Sequence, residues 1–312
     1  MSFTARGIIP AMVTPFDSQG EVSEDSLRKL VDYLMEGGVH GLFPVGSQGE
    51  FYALEKEEKK KIMEIVLDQV KGKVPVYAGT GAITTRETIT LTKMAQDIGV
   101  DAASIITPFF ISPTQDELYE HYLAIAKSTS LPILLYNNPG RSGVNLSADL
   151  VVRLSKVDNI VGIKDSSGDM TLTAEYIRRT SDDFSVLAGR DTLIYGTLSY
   201  GGKGAIAATA NVAPKLVVEI YEAYTRGDIE RAKKAQANLA PLRLAFSIGS
   251  FPVVIKDALE LMGIKAGTTR APIKSLNKDK QEMLRNTLQQ MGLLQISFIR
   301  TKNKSKVVKN KG

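Results

Sequence analysis

The 312-residue chain has no cysteine, no tryptophan and only two histidines, His40 and His121. Without cysteine there is no disulfide framework, no thiolate nucleophile and no Cys-based metal site. Two histidines far apart in sequence make a His-rich metal centre or a Ser-His-Asp triad hard to build, so no metal is expected. No run of eighteen apolar residues occurs, and residues 1–10 lack a signal-peptide pattern. A cytoplasmic protein without a membrane partner is expected. A Gly-rich dinucleotide turn after the first apolar run is also missing, and no cofactor is expected. The formal charge of +5 invites a nucleic-acid reading until it is located. Residues 295–312 hold Arg300, Lys302, Lys304, Lys306, Lys309 and Lys311 and no acid; removing those six leaves about −1 for residues 1–294. The basicity belongs to a tail expected to be disordered and solvated, and no nucleic-acid partner is expected.

What is present is alternation. Apolar runs at residues 7–13, 41–45, 74–78, 102–106, 132–135, 160–163, 184–187 and 205–207 are each followed by a helix-spaced stretch. Units of this size match a βαβ crossover, and eight of them in strict order predict a closed (β/α)8 TIM barrel, an α/β fold. The barrel is expected over residues 1–226. Residues 227–294 have the spacing of about three further helices, a C-terminal helical appendage.

In such a barrel, chemistry collects at the C-terminal strand ends. Those ends carry Thr14, Ser47 and Gln48, Thr80, Thr107, Tyr136, Lys164, Gly189 and Ala208. The most informative stretch is residues 160–168, IVGIKDSSG, where an apolar strand ends in Lys164 and a polar turn follows. Partial desolvation there works against the ammonium, giving an amine able to attack a carbonyl carbon. A lone lysine among hydroxyls suits Schiff-base chemistry on a keto acid, with the protonated imine as electron sink. Tyr136 is placed to shuttle protons to and from the intermediate. The turn at residues 46–50 exposes successive N–H groups, a nest for a carboxylate. Arg141 could grip a second carboxylate bidentately. The glycines of residues 201–204 have no phosphate-loop spacing and read as a tight strand entry.

The segments GSQGE, TPFF, LYNNPGRSG, GIKDSSGD, AGRD and GAIAATANV, in this order over roughly residues 5–294, resemble the dihydrodipicolinate synthase / N-acetylneuraminate lyase family. The resemblance implies class I, pyruvate-type aldolase chemistry on a TIM barrel, in a homotetramer built as a dimer of dimers. It implies the imine role for Lys164 and the proton shuttle for Tyr136. It also implies pyruvate's carboxylate at Ser47 and Gln48, with Gly189 and Ile206 as pocket wall. Departures from the pattern steer the substrate. Gln48 stands where synthases carry the second threonine of a Gly-Thr-Thr-Gly-Glu turn and Phe110 where a tyrosine completes their Tyr–Thr–Tyr relay, although Ser47 keeps a hydroxyl; Ile83 replaces an asparagine linked to feedback by lysine. Thr192 stands where sialic acid lyases carry an acid. Arg141 matches the synthases' arginine for the semialdehyde carboxylate.

The expected function is a carbon–carbon lyase that works on pyruvate and an aldehyde. Cleavage of a 2-keto-3-deoxy sugar acid to pyruvate and a small hydroxyaldehyde is placed first. Synthesis of dihydrodipicolinate precursor from pyruvate and aspartate semialdehyde is the alternative, and a non-catalytic keto-acid binder is the alternative of another class. The expected catalytic residues are Lys164, Tyr136 and Ser47; the expected substrate contacts are Gln48, Arg141, Gly189, Ile206 and Thr14.

Overall fold

The structure is a computed structural model that describes residues 3–294; the expectation for the basic tail lies outside those residues. Seven of the eight apolar runs are regular strands: β1 (Gly7–Pro10), β2 (Tyr77–Gly79), β3 (Ala102–Ile106), β4 (Ile133–Asn137), β5 (Ile160–Asp165), β6 (Ser185–Ala188) and β7 (Gly204–Ala207). They pair in parallel in the order β1-β7-β6-β5-β4-β3-β2. The run at residues 41–45 departs from the expectation of a regular strand. It closes the ring between β1 and β2 through isolated parallel bridges, Ala11 with Phe43 and Leu42 with Val76. Its bonds still reach both neighbours: Phe43 N–H donates to the Pro10 carbonyl, and Tyr77 N–H to the Leu42 carbonyl. Pro44 has no N–H to give, and Val45 lies at φ 57, a strained region for a β-branched residue. The ladder is therefore interrupted there, while the ring of eight segments stays a (β/α)8 barrel.

Helices α1 (Glu24–Glu36), α2 (Lys56–Val70), α3 (Thr85–Ile98), α4 (Gln115–Lys127), α5 (Pro139–Ser142), α6 (Ala148–Leu154), α7 (Met170–Arg179), α8 (Ile194–Ser199) and α9 (Pro214–Thr225) connect the strands. Each longer one buries a stripe at helical spacing, as α1 does with Leu27, Leu30, Val31 and Leu34. Their starts are set locally: α4 carries a Thr114–Glu117 capping box, and the Asp169 carboxylate accepts two N–H groups at the start of α7. The one-turn α5, which carries Arg141, was not anticipated from sequence. Pro139 at its first position and Gly143 in the left-handed region bound it.

The strands bury both faces. Ile163 and Leu135 join the core between barrel and helices, whereas Ile9, Phe43, Tyr77, Leu134, Leu187 and Ile206 fill the barrel interior. On β5, Lys164 is in register with Tyr136 on one side and Leu187 on the other. Register partners in a parallel pair share a face, so Lys164 points into the barrel with Leu187.

Three further helices follow, α10 (Ile229–Ala245), α11 (Val253–Leu261) and α12 (Lys278–Gln290). They are fastened to the barrel's C-terminal end by polar ties. Gln236 of α10 donates to the Asp191 carbonyl and accepts from Tyr195 N–H. Lys256 of α11 pairs with Glu50 at 2.7 Å. Beyond α11, Arg270 pairs with Glu58 and donates to the carbonyls of Gly20 and Ala53. Among the described residues no single helix is long and apolar enough to cross a membrane.

Candidate active site

The C-terminal strand ends and the segment joining α10 to α11 enclose a cavity of about 400 Å³, within the range of small-molecule sites. Its lining includes Ser47, Gln48, Tyr136, Arg141, Lys164, Gly189 and Ile206, seven of the residues proposed from sequence. Thr14 is not among the lining residues. Its Oγ1 donates to the Gly49 carbonyl at 2.7 Å, so it braces the turn instead of facing the cavity. Two other strand-end hydroxyls are likewise committed elsewhere: Thr80 bonds Thr92, and Thr107 donates to the Ser142 hydroxyl at 2.8 Å.

Lys164 is buried, with its Nζ 4.1 Å from the centre of the Tyr136 ring and 5.2 Å from that of Phe43. No carboxylate is within ion-pair distance of it among the described residues. A buried amine held by ring faces and open to a cavity retains its lone pair's route to a bound carbonyl. The adjacent phenol is tuned by the same arrangement. Burial pushes Tyr136 up, but the Lys164 ammonium and hydrogen bonds from Asn138, Ser47 and Ser166 outweigh it, holding the phenol below its ordinary value. The Asn138 amide donates to the phenol oxygen at 2.8 Å.

At residues 46–50, where a carboxylate nest was expected, the turn leaves several amides unspent. Glu50 N–H bonds back to Ser47 and Phe51 N–H to Gly46, whereas the amides of Ser47, Gln48 and Gly49 meet no protein acceptor among the described residues. The buried Gln48 side-chain oxygen also lacks a partner. The three free N–H groups suit an anion, whereas the Gln48 oxygen is an acceptor and is open to a donor instead. The turn is pinned from behind by Thr14 and by the Lys256–Glu50 pair.

The polar turn after β5 is a second rigid support. Asp165 accepts from Asn137, Ser167 and Thr173, the last at 2.6 Å. A Cβ on Gly189 would lie 2.0 Å from the Ser166 hydroxyl, so only glycine admits that turn so close to β6. Sequence reasoning passed over Asn138, Ser166, Arg190, Arg243 and Phe251, all of which line the cavity. Asn138 and Ser166 stand two residues after Tyr136 and Lys164, and that spacing on neighbouring strands was the available signal. Arg243 and Phe251 come from the C-terminal helices, where no local pattern marks them. Phe110 is 93% exposed at φ 72 and does not line the cavity.

Comparison with known proteins agrees along almost the whole chain. The sequence model of the dihydrodipicolinate synthetase family matches residues 4–291. A 4-hydroxy-tetrahydrodipicolinate synthase of Methanopyrus kandleri is 42% identical over 296 residues, covering 94% of this chain and 99% of that protein. The synthase of Pseudomonas aeruginosa is 42% identical over 288 residues, covering 92% and 99%. Among solved structures, dihydrodipicolinate synthase from Thermotoga maritima superposes with a TM-score of 0.91 at 36% identity, covering 94% of this chain and 100% of that one. The chloride-inhibited dihydrodipicolinate synthase of Acinetobacter baumannii, complexed with pyruvate, gives 0.90 at 39% identity, covering 93% and 99%.

Proposed function

The chain belongs to the dihydrodipicolinate synthetase family, and from that premise we propose that it condenses pyruvate with aspartate semialdehyde as a 4-hydroxy-tetrahydrodipicolinate synthase. The observation that carries the reading is the pairing of Lys164 with Tyr136 across β4 and β5 above a turn with three free amides. Pyruvate's carboxylate docks on the amides and Gln48, which sets its keto carbon against the Lys164 amine. Attack gives a carbinolamine; Tyr136 carries the proton that lets water leave, and the imine follows. Loss of a C3 proton gives the enamine, whose carbon adds to the aldehyde while Arg141 holds that partner's carboxylate.

The first expectation, a 2-keto-3-deoxy sugar acid as substrate, gives way to the alternative. The relatives named above are synthases, and Arg141 lines the cavity. No free carboxylate stands there to hold sugar hydroxyls: Asp191, the one acid in the lining, accepts the amides of Ala208 and Thr209. Phe110, which weighed against a synthase, is exposed and stands outside the lining that this one chain forms. The homotetramer and the division into barrel (1–226) and helical appendage (227–294) belong to this proposal; sedimentation and a chain truncated after residue 226 test them.

The direct test uses borohydride with pyruvate, then peptide mapping, beside initial rates with aspartate semialdehyde and with a 2-keto-3-deoxy sugar acid. A pyruvyl adduct on Lys164 and faster turnover of the semialdehyde are expected. An adduct on another lysine, or preference for the sugar acid that survives Arg141→Ala, would sink the proposal.

A further inference from the structure

Among the described residues, three guanidinium groups line this cavity: Arg141, Arg190 and Arg243. None has a carboxylate at ion-pair distance among the described residues, whereas surface arginines such as Arg28, Arg153, Arg179 and Arg231 are paired. The cavity's single acid, Asp191, is 2% exposed and already accepts two backbone amides, at 3.3 and 2.7 Å. The mouth therefore carries an uncompensated positive field that draws anions in. Each arginine is also oriented. Arg141 lies over the Phe251 ring at 4.3 Å and Arg243 over Phe246 at 5.3 Å, which leaves their N–H edges free. Arg190 donates its Nε to the Ser166 carbonyl at 3.0 Å, two residues beyond Lys164, and its other two nitrogens meet no acceptor among the described residues.

Aspartate semialdehyde brings one carboxylate, which Arg141 accommodates, and one ammonium, for which this cavity has no unspent acid. Arg190 and Arg243 remain unused by that substrate. We propose that they form a second anion-recognising site, and that the protein also adds pyruvate to aldehydes that bear a terminal carboxylate or phosphate and no amine. The inference rests on the imine chemistry proposed above. In the added reaction the C3 proton of the imine passes to Tyr136, the enamine carbon bonds the aldehyde carbon, and the new alkoxide takes that proton back. Water then cleaves the imine, releasing a 4-hydroxy-2-keto acid and the free lysine, with no net oxidation or reduction.

The test pairs acceptors of matched size: succinic semialdehyde against butanal, and glyceraldehyde 3-phosphate against glyceraldehyde, each with pyruvate and with the product followed by mass spectrometry. The charged member of at least one pair is expected to lead in kcat/KM by about tenfold or more, the scale of a charge-assisted hydrogen bond. That ratio should fall about tenfold in Arg190→Gln and in Arg243→Ala, and should shrink with added salt. Which pair responds assigns the site to carboxylate or to phosphate. Borohydride capture of pyruvate runs beside every assay. Missing capture in the wild type overturns the parent mechanism. Intact capture with equal rates for charged and uncharged acceptors, or a ratio indifferent to both substitutions, overturns the second anion site alone.

Discussion

Among the described residues Lys164 and Lys256 are the two buried lysines, 4% and 0% exposed; Lys256 pairs with Glu50 of the turn at residues 46–50, and Lys164 shares the cavity lining with Ser47 and Gln48 of that turn. Lys256 is fully engaged: a Glu50 oxygen at 2.7 Å, the Thr268 carbonyl at 2.9 Å and the face of Phe16 at 4.1 Å. Burial pushes it down to about 8, and the Glu50 carboxylate works in the opposite direction. Lys164 has ring faces and a cavity, and no carboxylate at ion-pair distance among the described residues. Burial alone thus does not make a reactive amine. One lysine spends its charge holding the C-terminal helices to the turn at residues 46–50; the other keeps an amine open to the cavity, as the proposed imine chemistry requires.

Exchanging each lysine for methionine should separate the two roles most widely. Lys164→Met is expected to abolish turnover and borohydride capture with little change in the denaturation midpoint. Lys256→Met strands the Glu50 carboxylate in the core, and breaking a buried pair this way costs about 3–5 kcal/mol. Denaturant unfolding should show that loss while the folded fraction still captures pyruvate at Lys164. Equal losses of stability in the two variants would erase the distinction. Tyr136→Phe comes next: it should lower kcat by roughly 10²–10⁴, the usual worth of positioned acid–base assistance, with stability nearly unchanged.

The Lys164–Tyr136 pair was readable because an apolar run closed by turn residues marks a barrel's strand end without any knowledge of distant contacts. Lys164 and Tyr136 needed only their strands. The same reasoning over-counted the hydroxyls. Thr14, Thr80 and Thr107 sit where expected, yet each is turned to a partner that only the folded chain brings near. It also missed the outer rim. Arg243 and Phe251 reach the mouth because Lys256 and Arg270 tie their segment to Glu50 and Glu58, about two hundred residues away, and no local pattern encodes such a pairing. The interrupted strand at residues 41–45 was hidden for a different reason: Pro44 sits inside a convincing apolar run, and the neighbouring strands tolerate the missing bond.

Electrostatic coupling at the site sharpens the comparison further. The Lys164 ammonium is one of the influences that hold the Tyr136 phenol below its ordinary value against burial. Removing that charge in Lys164→Met leaves burial opposed only by neutral hydrogen bonds, so the phenol must rise. Ultraviolet titration of the variant against the wild type should show one tyrosine moving to higher pH. Lys256→Met, whose ammonium faces Glu50 and Phe16, should leave that titration where it was. A Tyr136 that titrates alike in wild type and Lys164→Met would mean the two side chains are not coupled.

The smallest expected effect concerns the turn at residues 46–50. Thr14 donates to the Gly49 carbonyl at 2.7 Å from a side chain that is 1% exposed. Thr14→Val keeps the shape and deletes the donor, leaving a buried carbonyl unsatisfied, which costs about 1–3 kcal/mol. Because Gly49 closes the stretch of free amides, its loosening should reach pyruvate before it reaches chemistry. The KM for pyruvate is expected to rise several-fold with kcat within about twofold, and capture at Lys164 should be complete at saturating pyruvate. If kcat falls instead while KM holds, Thr14 acts on the reacting groups themselves, beyond the substrate contact expected from the sequence, and the turn is braced from the Glu50–Lys256 side alone.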